Sequence, residues 1–357
     1  MSDKTRVAVV GCGGISASHL SSYAKNPDVE IVALCDINPA AVDRRGEEYG
    51  VPAERRFTDI NAMLAAVPGI DAVSVCTWNA AHAPCVIAAL NAGKHVLCEK
   101  PMSVSVEDAE AMRAAAEKSG KLLMLGFVRR FGNDCDVLKD FIDKGYFGEL
   151  YYAKATYLRR KGCPGGWFGD KSRSGGGPLI DLGVHVIDLC RYLMGNPKPV
   201  SVYGATFDKL GERNNIRTQV AYKSQSVTEK PIFDVEDLAS AMIRFDNGAV
   251  LQVEASFSLN IEKDEGVIQL FGTKAGAKLD PELTLYGEMN GFMTNVTLSE
   301  STALSFDGLF ENEVNHFVRC VRTGEPCRNP AEDGVTLMKI LCGIYESAAS
   351  GHEVVID

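Results

Sequence analysis

The sequence predicts an α/β protein of two domains. Residues 1–126 should form a doubly wound parallel sheet, and residues 127–357 an α+β domain on a large, mostly antiparallel open sheet. Three observations carry this expectation. The 357 residues exceed what one hydrophobic core usually serves. Up to Gly126, short apolar runs alternate with helical patterns, as they do where helices cover both faces of a parallel sheet. Beyond residue 198 the pattern changes to period two, the mark of strands with one face buried.

In chain order, residues 6–10 are an apolar run followed at once by Gly11-Cys12-Gly13-Gly14-Ile15-Ser16. A helical pattern then spans 18–25, and a second apolar run, 30–35, ends at Asp36. The glycines permit a tight turn and let the backbone approach a pyrophosphate at a helix N-terminus, with Ile15 and Ser16 completing the turn. A carboxylate about twenty residues on is placed to accept hydrogen bonds from a ribose. Asp36 would repel a 2′-phosphate, and Ile37-Asn38 supplies no cation, so NAD is expected over NADP; Arg44 and Arg45 are assigned to the following helix. Serine in place of the third glycine leaves open an ordinary glycine-rich turn.

Further runs at 72–76 and 94–98 read as strands, with a helix over 83–92 between them. Ligands of open parallel sheets bind beyond the carboxyl ends of the strands. The cofactor lining is therefore expected to include Thr77, Trp78, Asn79 and His82 after one strand and Glu99 and Lys100 after the next. A helix over 107–118 and a strand over 122–126 complete the first domain, which is expected to be a Rossmann domain.

The totals narrow the function. Lysine and arginine number 37 against 47 acidic residues, a formal charge of −10, which argues against nucleic acid or an anionic membrane as a partner. No apolar run approaches the roughly 20 residues of a membrane helix, and the N-terminus shows no signal-peptide pattern. The eleven cysteines are odd in number and include no Cys-x-x-Cys, so a reducing cytoplasm is expected, without a metal or iron–sulfur site.

One stretch of the second domain carries chemistry: Gly175-Gly176-Gly177-Pro178 opens an apolar helix on which Asp181 and His185 lie four apart. That spacing puts a carboxylate and an imidazole on one helix face. The carboxylate then orients a ring that carries protons; the alternative is a buried pair that only satisfies itself.

The glycine-rich turn, Ala92-Gly93-Lys94-His95-Val96, Glu99-Lys100-Pro101 and Gly175-Gly176-Gly177…Asp181…Gly183…His185…Asp188 together resemble the glucose–fructose oxidoreductase and inositol dehydrogenase (Gfo/Idh/MocA) family over almost the whole chain. The resemblance implies a catalytic group of Lys100, Asp181 and His185, self-association, and Arg129 beside the active site as a cofactor or substrate contact. Trp78 departs from the proline many members carry after the threonine, which implies a reshaped pocket wall.

In the rest of the chain, a helix is expected over 134–144 and a strand over 150–158. A loop then offers Arg159 for hydrogen bonds and Trp167 for an apolar face, which suit a hydroxylated ring alongside Lys100, Asp181 and His185; a solvated basic loop is the alternative. Strands are expected at 199–207, at 238–259 with a turn at Asp246-Asn247-Gly248, and at 267–271 and 278–286. Two closing helices follow at 310–321 and 332–350, and 211–230 is the expected flexible loop. The reading is an NAD-dependent oxidoreductase acting on a secondary hydroxyl of a sugar, cyclitol or glycoside. The alternatives are a redox-neutral enzyme with tightly held NAD and a non-catalytic NAD-binding sensor.

Overall fold

The computed structural model describes residues 4–217, 222–226, 231–280, 282–299, 301–302 and 305–356. It divides into two units, one of Met1–Val128 with Ser305–Met338, the other of Arg129–Leu304 with Lys339–Asp357.

The first unit holds strands β1 (Thr5–Val10), β2 (Val29–Cys35), β3 (Arg56–Phe57), β4 (Ala72–Val75), β5 (His95–Glu99) and β6 (Leu123–Gly126). They pair in parallel in the order β3-β2-β1-β4-β5-β6. Between them run helices α1 (Ser16–Lys25), α2 (Pro39–Glu48), α3 (Ile60–Ala66), α4 (His82–Asn91) and α5 (Val106–Ser119). The central strands are mostly apolar because both faces are covered; β4 is buried at every residue. Two-residue β3 is too short to show a period, and the sequence reading missed it. Local signals bound α5: Ser105 caps it by accepting from the Asp108 amide at 3.1 Å, Glu107 and Asp108 occupy its first turn, and Gly120 ends it in a left-handed conformation.

The chain crosses between the units at more points than the expected boundary at 126/127. The chain leaves the first unit after Val128 and returns to it at Ser305. Helix α6 (Asn133–Asp143), the short α7 (Lys171–Ser174) and α8 (Val184–Leu193) belong to the second unit, whereas α9 (Phe306–Thr323) packs on α1. Phe310 meets the His19 ring at 5.8 Å, Lys25 pairs with Glu311 at 3.0 Å, and Asn26 donates to Asn315 at 2.8 Å. The start of α10 (Ala331–Ser350) is tied down in the same unit. Asn329 donates its side-chain amide to the Leu125 carbonyl and accepts the Leu125 amide at its own carbonyl, both at 2.9 Å. Periodicity marks these helices as amphipathic but does not say which sheet receives them.

The second unit is built on nine strands: β7 (Leu150–Leu158), β8 (Pro199–Phe207), β9 (Leu238–Phe245), β10 (Val250–Ser256), β11 (Glu265–Gly272), β12 (Gly276–Leu279), β13 (Thr284–Met289), β14 (Phe292–Thr297) and β15 (Val354–Val355). Their order is β14-β13-β12-β11-β7-β10-β9-β8-β15. Every pairing is antiparallel except β7 with β10. The expected hairpin joins β9 to β10, with the Phe245 amide donating to Ala249 at 2.9 Å. The single strand expected over 278–286 is instead β12 and β13. Of the expected flexible loop, residues 218–221 and 227–230 lie outside the described residues. Elsewhere in that loop, Ser224 is tied to Pro164 at 2.9 Å.

Helix α8 lies on β7, β10 and β11, and its approach is fixed by a buried charge pair. Arg130 reaches Asp188 with two bonds, Nε to Oδ2 at 2.9 Å and Nη2 to Oδ1 at 2.6 Å, and its guanidinium also covers the Tyr192 ring at 4.7 Å. Both residues are almost fully buried, so removing one partner strands a charge without water. Arg130→Met or Asp188→Leu alone should destabilise the protein by about 3–5 kcal/mol, and the double variant by much less. Chemical denaturation of the three variants measures this, and a double variant as unstable as the sum of the singles would contradict it.

Candidate active site

In the first unit, the turn between β1 and α1 has no room for a side chain at its first glycine. A Cβ on Gly11, which has φ +89°, would lie 2.5 Å from the carbonyl carbon and oxygen of Cys76. The turn can therefore sit directly on the loop after β4. Ser16, at the third small position, is fully buried and donates its hydroxyl to the Gly13 carbonyl at 2.7 Å. Serine thus meets the packing requirement and satisfies its own polar group. Gly14 and Ile15 lead directly into α1, where Ile15 has no side-chain oxygen to cap the helix and the first turn holds no acid. The positive end of α1, with no side-chain cap and no acid in its first turn, suits an anion.

Asp36, just past β2, is held by that same turn. Its Oδ2 accepts from the Cys12 amide at 2.6 Å and its Oδ1 from the Asn38 amide at 2.8 Å. Each oxygen keeps a lone pair for a ribose hydroxyl. Arg44 and Arg45 lie on α2, as expected, yet reach back to the turn: Arg44 donates to the Cys12 carbonyl at 3.3 Å and Arg45 to the Gly13 carbonyl at 3.2 Å. The space outside Gly13 is open, since a Cβ there would meet nothing within 4 Å. These residues fit a nicotinamide dinucleotide.

Two more loops end at the same edge of the parallel sheet. Thr77 and Trp78 are half-buried and Asn79 buried in the loop after β4. His82 is fully buried, with Nδ1 2.7 Å from the Pro101 carbonyl and Nε2 3.2 Å from the Thr77 carbonyl. Burial lowers its pKa although both carbonyls oppose this, so the ring is neutral at physiological pH. Such a ring ties two loops together and presents no surface to a ligand, which corrects its expected place in the cofactor lining.

Glu99, at the end of β5, is also buried. Its Oε1 lies 2.8 Å from His19 Nε2, and its Oε2 accepts from the Lys100 amide at 3.2 Å. Burial pushes this carboxyl up, but the His19 hydrogen bond and the charges of His19, Lys100 and His82 outweigh it and hold the pKa below the usual value. His19 Nδ1 continues to Ser74 Oγ at 3.3 Å, and Ser74 to the Tyr23 hydroxyl at 2.7 Å. Glu99 thus anchors the backbone from which the half-buried Lys100 side chain projects.

In the second unit, the expected helix starts differently. Residues Leu179–Gly183 form one π turn, in which the Val184 amide reaches back to the Leu179 carbonyl, before α8 begins. A π turn widens the helix and re-aims the side chains around it, and such turns recur at functional sites. Asp181 sits in that turn and His185 in the first turn of α8. Leu182, between them, is buried with Cys163, Ala255 and Phe257.

The charge on Asp181 acts on two neighbours. Burial and then Asp181 raise the Tyr222 hydroxyl, and burial pushes the Cys163 thiol up to about 12, with Asp181 adding to the effect. The Tyr222 ring meets Phe168 edge-on at 6.2 Å, and Phe168 stacks on Trp167 at 3.9 Å. Arg159 donates to the Gly162 carbonyl at 3.0 Å and the Tyr157 hydroxyl at 3.2 Å, with its guanidinium 5.1 Å from the Tyr157 ring centre. The charges of Arg159 and Asp181 both act on the Cys163 thiol, and Trp167 stacks on Phe168, which packs against the cluster that holds Cys163. Tyr222, which the sequence reading missed, joins them; its only signal was an aromatic ring in a polar stretch. Arg129 pairs with Asp280 at 2.9 Å and lies 3.7 Å from Asp134, two carboxylates of the same unit.

Comparison with known proteins agrees with this picture. Residues 5–127 match the oxidoreductase family with the NAD-binding Rossmann fold, and residues 136–278 match the GFO/IDH/MocA C-terminal domain. The chain is 35% identical to the D-glucoside 3-dehydrogenase of Escherichia coli (strain K12), over 99% of this chain and 98% of that one. An aldose–aldose oxidoreductase from Caulobacter crescentus superposes with a TM-score of 0.81 at 25% identity, covering 99% of this chain and 100% of its own. A levoglucosan dehydrogenase in complex with NADH shares the fold, with a TM-score of 0.86 at 24% identity and 99% of both chains covered. The turn around Gly11 and the loop ending in Lys100 fall in the first matched region and the helix bearing Asp181 and His185 in the second, and the chain belongs to the Gfo/Idh/MocA family of NAD-binding oxidoreductases.

Proposed function

We propose that this oxidoreductase uses NAD to oxidise a secondary hydroxyl of a neutral sugar, cyclitol or glycoside. The observation that carries the substrate class is a chain of contacts: the Asp181 charge reaches the Tyr222 hydroxyl, the Tyr222 ring meets Phe168 edge-on, and Phe168 stacks on Trp167. Aromatic faces receive the C–H face of a sugar ring, while the carboxylate accepts its hydroxyl hydrogens. The 35% identical relative acts on a glucoside, in keeping with this.

Bound NAD supplies the hydride acceptor. The rest of the chemistry falls to side chains of this chain. His185 takes the proton of the reacting hydroxyl, Lys100 hydrogen-bonds the same oxygen and steadies its developing negative charge, and Asp181 orients both the substrate and the imidazole. Arg159 and Trp167 hold the ring through hydrogen bonds and an apolar face. Asp36 binds the adenosine ribose, and the glycine turn binds the pyrophosphate.

The same reading places the enzyme in the cytoplasm, where its eleven free cysteines stay reduced; among the described residues no helix is long and apolar enough to cross a membrane. It also makes the enzyme a homo-oligomer. Tyr203 on β8 pairs across to Met242 on β9, and both are about half-exposed, an apolar pair suited to a second copy of the sheet. The likeness to an aldose–aldose oxidoreductase favours one second reading, in which hydride passes between two sugars without net release of NADH. NADH released per product, measured over many turnovers, distinguishes the two.

Three outcomes follow. NAD should exceed NADP by at least about tenfold in kcat/KM, near 1.4 kcal/mol, and Asp36→Ser should erode that ratio. Steady-state kinetics with both cofactors measure it, and equal use of the two by the unmodified enzyme would refute the role of Asp36. Lys100→Ala or His185→Ala should lower kcat by about a hundredfold or more, with NAD affinity retained in a fluorescence titration; unchanged turnover in both would remove the catalytic assignment. In a substrate panel, pyranoses, cyclitols or glycosides should be oxidised fastest. Deoxy analogues at the oxidised carbon and its neighbours should lose most activity, because they leave buried donors and acceptors unpaired. A panel led by aliphatic alcohols or sugar phosphates would overturn the substrate class.

A further inference from the structure

The turn that opens the catalytic helix has backbone donors that its own sequence does not satisfy. The first amides of a helix have no partner within it, and the residue before Leu179 is Pro178, which brings no cap and no N–H of its own. The partners come from two distant elements. Glu236, two residues before β9, accepts the Gly177 amide at Oε2 (2.8 Å) and the Leu179 amide at Oε1 (3.1 Å). Tyr345 on α10 donates its hydroxyl to the same Oε1 at 2.8 Å and also bonds to the Ile180 backbone. The next amide, that of Asp181, already reaches back to the Gly177 carbonyl at 3.1 Å.

The glycine run leaves room for this clamp. A Cβ on Gly176 would lie 2.1 Å from the Tyr345 hydroxyl oxygen, and one on Gly177 would lie 2.2 Å from the Glu236 carbonyl oxygen and 3.0 Å from its carboxyl carbon. Any side chain at either position would push the clamp off the helix end. The clamp therefore sets the direction in which the helix leaves the loop, and with it the aim of the side chains in its first turns.

We infer that Glu236, supported by Tyr345, is a positioning residue that fixes the direction of the Asp181–His185 helix segment. This rests on the proposed catalytic roles of those two residues. Glu236 touches no reacting atom. Its carboxylate also opposes the positive end of the helix, which a neutral packing residue would not do.

The test compares Glu236→Ala, Glu236→Gln and Tyr345→Phe in the full-length enzyme, on whichever neutral sugar the unmodified enzyme oxidises best. Glu236→Ala should lower kcat at least about tenfold while KM for the sugar and affinity for NAD stay within about threefold, the pattern of a lost transition-state interaction. Glu236→Gln, which keeps an acceptor oxygen, should recover most of that loss, and Tyr345→Phe should lose less than Glu236→Ala. Hydrogen exchange at the Gly177 and Leu179 amides provides a separate readout, with protection falling in Glu236→Ala and kept in Glu236→Gln. A folded Glu236→Ala enzyme with kcat within twofold of the parent and unchanged exchange would overturn the inference. If Glu236→Ala does not fold, the Gln and Phe variants decide by the same two measurements. If the unmodified enzyme oxidises no neutral sugar, the functional reading fails, and amide exchange alone decides whether the clamp exists.

Discussion

A backbone amide buried without a partner costs about 1–3 kcal/mol, and the turns of this chain that carry chemistry all place amides where no helix or strand can satisfy them. The fold meets this constraint with carboxylates, most of them from elsewhere in the sequence. Asp36 takes the Cys12 amide in the glycine turn, Glu99 takes the Lys100 amide, and Glu236 takes those of Gly177 and Leu179. Asp237 does the same for Leu210 and Gly211. Each turn is thus held by an ionic acceptor, and charge-assisted hydrogen bonds are stronger than neutral ones. Irregular backbone gains the definition that a functional site requires.

These carboxylates are not equivalent. Burial raises the pKa of Glu99, but hydrogen bonding and charge from His19, with Lys100 and His82, lower it further, so the balance falls below the usual value. Such an acid stabilises the fold at pH values above its unfolded pKa, and that contribution is lost as pH falls through the folded value. Glu236 shifts the other way: burial dominates, and the Gly177, Tyr345 and Leu179 hydrogen bonds only partly offset it. An acid with a raised pKa contributes stability that is fully present below its unfolded pKa and is lost as pH rises through the folded value.

Around these anchors the two units contribute in different ways. The first is a parallel sheet whose strand ends gather three loops at one edge, tied to one another by Asp36, His82 and Glu99. The second is an open sheet on which α8 is pinned by Arg130 and Asp188. The π turn at Leu179–Gly183 and the aromatic group of Trp167, Phe168 and Tyr222 are superimposed on that sheet. A rigid scaffold bearing irregular, well-anchored segments lets related chains keep one framework while changing what they bind.

The sequence by itself determined the elements whose signals are local. The strand–glycine–helix–strand order with Asp36 at its end, the Ser105 and Gly120 boundaries of α5, the β9–β10 turn and the extents of β7 and β8 follow from periodicity, capping and turn chemistry between near neighbours. The motifs that hold Lys100, Asp181 and His185 were legible because each is contiguous. Tertiary structure alone decided everything that depends on chain segments far apart. It returned Ser305–Met338 to the first unit because α9 finds its apolar complement on α1. It drew His82 into the interior because two loop carbonyls lay within its reach, and it brought Tyr222 to Phe168 across some fifty residues of chain. The Glu236 and Tyr345 clamp was invisible for the same reason. A hydrogen bond between residues 59 or 109 apart leaves no periodic trace, since its partners are matched by the packing of whole elements rather than by spacing along the chain.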